Sequence, residues 1–276
     1  MNKHPAMRNN SCAGFTLVEA IMVIVITGIL AGMVAVFIKA PVDGYVDSVR
    51  RAELTDAADT ALRRIARDVR TALPNSFRLA TVAGSSCVEF LPTLGGGRYR
   101  IAPTTDGTSS DILSFAAADT SFDVLANSNL PASFAGAATQ NVVIYNLGSG
   151  SDDAYAAVNN RSQISNATAT SANITMAAKQ FPHDSPGKRF HVIANHSVVY
   201  SCSGGVIYRS TPAIAAAPGA CPSAGSILVS NVDCANTSFR YSTVSARNSL
   251  LAMTLTLTRA GESVRIYHEV QVSNVP

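Results

Sequence analysis

One mostly apolar block near the start of the chain, residues 15–38, constrains the fold more than any other feature, because its only charged residue is Glu19. Twenty-four residues span about 36 Å as an α-helix, whereas the hydrocarbon core of a bilayer is about 30 Å thick. The block therefore predicts a transmembrane helix. A polar leader, residues 1–14, precedes it and carries Lys3 and Arg8 as its charges.

A cleaved secretory signal peptide is the first alternative interpretation of this region. Such a peptide has a basic segment, then an apolar stretch, then a small-residue cleavage site. Here the small residue, Gly14, comes before the apolar stretch, so the stretch would survive cleavage. The basic leader favours a cytoplasmic N-terminus, with the rest of the chain exported across the membrane.

Helical periodicity continues beyond the apolar block. Across residues 39–73, apolar residues recur mainly every three or four positions, with six acidic residues and six arginines between them. This pattern predicts an amphipathic helix that is kinked at Pro41 and ends before Pro74. The two segments form one long helix over about residues 15–72, whose second half packs on a globular domain.

From Pro74 onward the signals change to strands and turns, so the predicted fold class is α+β. A long N-terminal helix packs on an antiparallel, β-rich domain formed by residues 74–276. The strands predicted from alternation and β-branched content are 87–91, 112–115, 142–145, 190–193, 197–202, 206–210, 227–232, 238–242, 250–259 and 263–272. The fifth and sixth form a hairpin, and so do the last two. We predict a turn at Gly95-Gly96-Gly97, and long loops over residues 103–180.

Composition excludes several function classes. Only 14% of the residues are charged, the net charge of +3 is dispersed, and no Lys/Arg run indicates nucleic-acid binding. The five histidines have no metal-ligand spacing, and the glycine run lacks the Lys-Ser/Thr of a phosphate-binding loop. No Gly-x-Ser-x-Gly motif occurs. We therefore predict no catalytic residue, no cofactor and no metal site.

Four of the five cysteines lie in the predicted exported domain. Cys12 falls in the leader, which leaves Cys87, Cys202, Cys221 and Cys234. No Cys-x-x-Cys occurs, so disulfides in an oxidising compartment fit best. The sequence leaves all three pairings open.

The sequence Gly14-Phe15-Thr16-Leu17-Val18-Glu19 resembles the processing motif of type IV prepilins and pseudopilins. The resemblance implies that a membrane aspartyl peptidase cuts after Gly14 on the cytoplasmic side and then methylates the new amine of Phe15. It also implies that Glu19 pairs with the amine of Phe15 in a neighbouring subunit, which sets the axial register of a filament. Gly28 and Gly32 form a Gly-x-x-x-Gly pattern in the same helix.

Several later segments are similar to the MshO-type minor pilins of the mannose-sensitive haemagglutinin (MSHA) pilus. These segments are residues 44–47, 50–54, 72–76, 87–92, 97–100, 187–190, Cys234 with 239–241, and 269–276. The resemblance implies a minor pilin in filament initiation or at the tip. Its partners would be the prepilin peptidase, other pilin subunits, the assembly platform and lipid of the bacterial inner membrane. The domain that follows the helix would be periplasmic.

Two other functions remain open. The first is a minor pseudopilin of a type II secretion system, which has a similar build. The second is a tip adhesin whose residues 103–180 bind a surface or a ligand.

Overall fold

The structure is a computed structural model of the full chain. The residues it describes are 14–82, 85–105, 107, 111–125, 140–156, 160–165, 173–245 and 247–276. Most of the predicted leader, including Cys12, therefore lies outside the described residues, and so do parts of the region 103–180. The chain divides into two compact units, Met1–Arg50 and Arg51–Pro276.

A single helix, α1, runs from Leu17 to Val69 and contributes to both units. Pro41 lies inside this helix without ending it, although a proline removes one backbone hydrogen bond. The helix ends where the hydroxyl of Thr71 and the amide of Ala72 satisfy carbonyls of its last turn, at 2.7 and 3.1 Å. The long helix agrees with the predicted one to within three residues at each end.

Fourteen strands follow among the described residues, and the pairings between these strands are all antiparallel. They are β1 Arg78–Val82, β2 Ser85–Phe90, β3 Thr93–Arg98, β4 Asp119–Asp123, β5 Gln140–Ile144, β6 Arg161–Gln163, β7 Asn173–Lys179, β8 Arg189–Ala194, β9 Val198–Ser203, β10 Val206–Ser210, β11 Ser226–Ser230, β12 Ser238–Thr243, β13 Asn248–Arg259 and β14 Glu262–Ser273. The predicted α+β architecture is confirmed.

Three details of the strand prediction are wrong. Residues 112–115 form no strand, because the amide of Ser114 donates to the carboxylate of Asp119 at 2.7 Å instead of to a neighbouring strand. The glycines predicted to form a turn lie in β3, where pairing with β8 holds them extended. The region 103–180 contains β4, β6 and β7 in addition to the predicted β5.

The second unit has one sheet of order β1-β2-β9-β10-β11 and another of order β12-β13-β14. A bridge between Val232 and Leu257 links the two sheets. The helical half from Arg51 onward packs against them through an apolar stripe with a period of three to four residues. Its fully buried members are Leu54, Ala58, Ala61, Leu62, Ile65 and Val69.

The chain between β2 and β9 forms an inserted module, defined here as residues 93–194. Strands β2 and β9 pair directly, so the module is inserted between two neighbouring strands of the main sheet. It has a sheet of order β3-β8-β5-β6 and a ribbon of β4 with β7. Its own core includes Tyr99, Phe122 and Phe190, whose rings pack edge to face. Six strands and a core thus form the module, although the sequence predicted only two of these strands, β5 and β8.

Two disulfides join the four cysteines of the second unit. Cys87 on β2 is bonded to Cys221, in the segment between β10 and β11, and Cys202 on β9 is bonded to Cys234, which follows β11. The Cα atoms lie 5.7 and 5.5 Å apart, inside the usual range. This arrangement is one of the three pairings that the sequence left open.

Candidate functional site

The predicted cleavage junction lies in exposed, non-helical chain directly before α1. Gly14, Phe15 and Thr16 precede the first helical residue, Leu17, and all are exposed. A Cβ built on Gly14 would meet no atom within 4 Å. Packing among the described residues therefore gives no reason for a glycine at this position.

Thr16 caps the helix and fixes the position of Glu19. The Thr16 hydroxyl oxygen accepts a hydrogen bond from the Glu19 amide at 3.3 Å, and the Thr16 carbonyl accepts one from Ala20 at 3.1 Å. Threonine followed three residues later by glutamate is the sequence signature of a capping box. Sequence reasoning missed this role of Thr16, although that spacing was visible. The cap places Glu19 in the first helical turn, where the helix dipole favours a negative charge.

The side chain of Glu19 is exposed, and within the part of the chain that the structure describes it makes no hydrogen bond or ion pair. A carboxylate inside a membrane costs about 2.5–3.5 kcal/mol on insertion scales unless it is paired. Phe15 is 68% exposed and lies four residues earlier. The arrangement leaves an acidic group and an aromatic residue available to a second molecule.

The helix that follows has an apolar surface throughout its first half. Large apolar side chains from Leu17 to Ile38 are exposed, and α1 is the one described helix that is long and apolar enough to cross a membrane. Thr27 donates to the carbonyls of Val23 and Ile24 at 2.7 and 3.1 Å, so its hydroxyl is satisfied without water. Such a surface is stable in lipid or against other apolar helices.

The exposed surface of α1 has two further features, a pair of glycines within the apolar block and an apolar stripe beyond it. A Cβ built on Gly28 or Gly32 would meet nothing within 4 Å, so both glycines are open to close approach. Beyond the apolar block, the exposed side chains of Val42, Tyr45, Val46 and Val49 continue one helix face. Packing on the β-rich domain starts only at Leu54.

Polar contacts join the second half of the helix to the β-rich domain. The Asp68 carboxylate accepts hydrogen bonds from the Tyr200 hydroxyl at 2.7 Å and from Arg209 Nε at 2.8 Å. Arg51 pairs with Glu262 at 2.8 Å, and Glu53 pairs with Arg259 at 3.1 Å. Sequence reasoning identified none of these contacts, because each joins residues more than 130 positions apart.

Among the described residues, no group of three His, Cys, Asp or Glu side chains is placed to hold a metal ion. Two such side chains do form a pair, because the Nδ1 atom of His183 lies 2.8 Å from a carboxylate oxygen of Asp152. It holds an irregular segment of the inserted module together.

Residues 9–35 match the family described as the prokaryotic N-terminal methylation motif. The match includes Gly14, Phe15 and Glu19 and most of the apolar block. It supports a protein of the type IV pilin or pseudopilin type, and an N-terminal apolar helix fits a membrane-anchored pilin. The motif implies processing by prepilin peptidase and assembly with other pilins, which is a structural role. Neither curated proteins nor solved structures gave a match.

Proposed function

We propose that this chain is a minor subunit of a type IV pilus similar to the MSHA pilus. The leader, residues 1–14, is removed between Gly14 and Phe15, and the new amine of Phe15 is methylated. The mature chain then enters the filament, in initiation or at the tip. The observation that supports this most is the exposed junction Gly14–Glu19 ahead of a helix whose first half packs on nothing in the described chain.

In this proposal Glu19 is the assembly residue. Cleavage creates a positive amine at Phe15, and methylation leaves it charged. The Glu19 carboxylate of one subunit pairs with the amine of another, because both charges would otherwise lie unpaired in an apolar environment. The pair fixes which helix positions meet, so it supplies register more than stability.

The helix and the disulfides support the localisation that we propose. We place the leader in the cytoplasm, residues 15–38 in the bacterial inner membrane, and residues 74–276 in the periplasm, where disulfides form. Residues 39–73 continue the helix into the periplasmic domain. Entry into the filament moves the helix from lipid to contacts with neighbouring helices, and the inner-membrane assembly platform drives this step. The proposal includes no catalytic activity and no cofactor.

Two alternatives share the same processing motif. A minor pseudopilin of a type II secretion system would be cut and methylated in the same way. Deleting the gene separates the two: we expect loss of surface pili with normal protein secretion, whereas a pseudopilin would show the reverse. The second alternative is a tip adhesin, in which the inserted module would bind a surface or a ligand.

The test of the assembly proposal is Glu19→Ala, with Asp56→Ala as the matched control. Asp56 is an exposed acidic residue on the same helix, outside the apolar block. We expect Glu19→Ala to be cleaved and to stay in the membrane, with at least a tenfold loss of the chain from sheared filaments. Asp56→Ala should enter filaments normally. Wild-type incorporation of the Glu19→Ala variant would show that Glu19 does not set the register.

A further inference from the structure

Strand β14 is an edge of the sheet β12-β13-β14. Within the described chain it pairs only with β13, and this pairing runs over its 12 residues without a bulge. The strand contains neither lysine nor proline, which natural proteins place on edge strands to prevent pairing with another chain. A long and regular edge of this kind can accept one further strand through backbone hydrogen bonds.

The direction of the backbone groups in β13 shows which residues of β14 face this edge. The amide of Thr258 and the carbonyl of Thr256 bond to the segment 231–233, on the side of β13 away from β14. Backbone groups of successive residues point to opposite sides of a strand. The residues between and beside these threonines, Leu255 and Leu257, therefore direct their amides and carbonyls to β14.

The same alternation continues in β14. The register partners of these two leucines are Ile266 and Val264, so both direct their backbone groups to β13. The alternate residues Arg265, Tyr267 and Glu269 therefore direct their amides and carbonyls to the open edge. Among the described residues, these backbone groups bond to no other strand. The side chains of the same three residues are exposed.

These side chains are complementary to the same strand running in the reverse direction. Arg265 and Glu269 lie at equal distances in sequence from Tyr267, one on each side. When two copies of β14 pair antiparallel about Tyr267, each Arg265 stands opposite the Glu269 of the other copy. Registers centred on Arg265 or on Glu269 would place like charges opposite each other. The two charges therefore select one register, which charges that merely repel other strands would not do.

The inner face of the strand is compatible with this register. Val264 and Ile266 pack against the main core but stay only half-buried at the edge of the sheet. In the register centred on Tyr267, Val264 meets Val270 of the second copy, and Ile266 meets His268. The pairing would therefore remove apolar surface from water as well as pair the two charges.

The two ends of β14 determine which copies can meet. Glu262 at its start pairs with Arg51 at 2.8 Å, and the carbonyl of Asn274 after its end accepts from Asn75 at 3.3 Å. The strand thus runs in the same direction as the helix from Arg51 onward, and the proposed membrane segment joins the domain at the Glu262 end. Antiparallel pairing places the two Glu262 ends about 30 Å apart along the strands, with the helices running in opposite directions. Chains on two facing surfaces can meet in this way.

We propose that β14 is a homophilic contact, which pairs antiparallel with β14 of a second copy carried on a facing surface. The contact is isologous, because the same residues serve on both sides of a two-fold axis. The facing arrangement rests on the proposed membrane anchor, whereas the strand pairing does not. One strand pair is a small interface, so the contact is weak for a single pair and acts through many copies on each surface.

The test is the clustering of phosphatidylcholine vesicles that carry many copies of the full chain, measured by turbidity. We expect wild-type vesicles to cluster, and vesicles without protein to stay dispersed. Arg265→Glu and Glu269→Arg should each reduce clustering at least tenfold, because like charges then meet at both ends of the contact. A mixture of the two variant vesicles should cluster again, because two acidic positions on one chain face two basic positions on the other.

Further variants separate strand pairing from attraction between charges alone. Tyr267→Pro removes an amide that faces the open edge but no hydrogen bond to β13, so clustering should be lost while the circular dichroism spectrum stays unchanged. Tyr267→Thr keeps this amide and should retain clustering. Arg240→Glu changes an exposed arginine on β12 of the same sheet, and as the matched charge control it should cluster like the wild type.

Dispersed wild-type vesicles would overturn the proposal, and so would wild-type clustering by either charge variant alone. A mixture of the two charge variants that stays dispersed would also contradict it, as would undiminished clustering by Tyr267→Pro. The vesicles carry the uncleaved chain, so the assay does not depend on processing or on filament assembly. Failure of clustering leaves the proposed function standing, and failure of processing leaves the clustering assay valid.

Discussion

The Asp68 carboxylate accepts a hydrogen bond from the Tyr200 hydroxyl at 2.7 Å, and this contact joins the last turn of α1 to strand β9. The same oxygen also accepts from Arg209 on β10. One acidic residue therefore fixes the end of the helix to two neighbouring strands. Because all three side chains are partly buried, the loss of one leaves polar groups of the others unpaired.

Asp68→Ala should lower the free energy of unfolding by about 1–3 kcal/mol, since it leaves the Tyr200 hydroxyl and the Arg209 guanidinium without their acceptor. The measurement is guanidinium chloride unfolding of the full chain in nonionic detergent, followed by circular dichroism. Asp56→Ala, at an exposed position of the same helix, should change stability by less than about 0.5 kcal/mol. Equal midpoints for the two variants would contradict the anchoring role.

Stability should fall in strong alkali because of Tyr200. Burial, and then the hydrogen bond to Asp68, raise the pKa of Tyr200 above its ordinary value of 10.0. The unfolded chain therefore loses this proton first, so the contribution is present below about pH 10 and is lost as the pH rises further. Tyr200→Phe should lose less stability than the wild type between pH 9 and about 11, measured by unfolding at fixed temperature. Parallel pH profiles would exclude this contribution.

Stability should also fall in acid, because of His191. The folded chain holds the pKa of His191 at about 4, below its ordinary value of 6.5, mainly because burial disfavours the charged ring. The unfolded chain binds the extra proton, so stability is present above about pH 6.5 and falls towards pH 4. In this pH range we expect the free energy of unfolding of His191→Gln to change with pH less steeply than that of the wild type, by up to about 1.4 kcal/mol per pH unit. His268→Gln, on the partly exposed strand β14, is the control. Identical slopes for His191→Gln and the wild type would refute the prediction.

The disulfide between Cys202 and Cys234 closes a loop of 32 residues. Replacing both with serine should cost about 2–4 kcal/mol, because the unfolded chain regains the entropy of that loop. Cys87 and Cys221 are 134 residues apart, so the chain-entropy model predicts a loss at least as large for that pair. Denaturant midpoints of the two double variants provide the comparison. An unchanged midpoint for either variant would show that the bond is not formed or does not stabilise.

The helix and the longest hairpin could be predicted from the sequence because their signals are local. Apolar spacing of three to four residues marks the buried stripe from Leu54 to Val69, and strict alternation marks β13 and β14. The turn at Ala260 and Gly261, both at positive φ, is where the glycine predicted it. The Gly204-Gly205 turn between β9 and β10 follows the same rule.

Apart from β5 and β8, the strands of the inserted module could not be predicted in this way, because they depend on distant partners. Three glycines in β3 have poor strand propensity, and only pairing with β8, about 95 residues away, keeps them extended. The sequence of 112–115 predicts a strand, but the amide of Ser114 donates its hydrogen bond to the carboxylate of Asp119 instead of to a neighbouring strand. The disulfide pairing likewise depends on the register of β2 against β9, which no local pattern contains.

In the candidate site, the junction and Glu19 were apparent from the motif, whereas Thr16 was missed as a cap and Asp68 as an anchor. The structure adds that Gly14 lies in an open position, which the sequence alone did not show. Since a Cβ there meets no described atom, Gly14→Val should leave the domain folded. Its effect on cleavage then reports recognition by the peptidase.

The most direct test of the central claim is intact-mass and N-terminal peptide mass spectrometry of this chain purified from sheared filaments. We predict a mature chain that begins at Phe15 with a methylated amine, and a Gly14→Val variant that stays uncleaved in the membrane. A filament-borne chain that begins at Met1 would contradict the account.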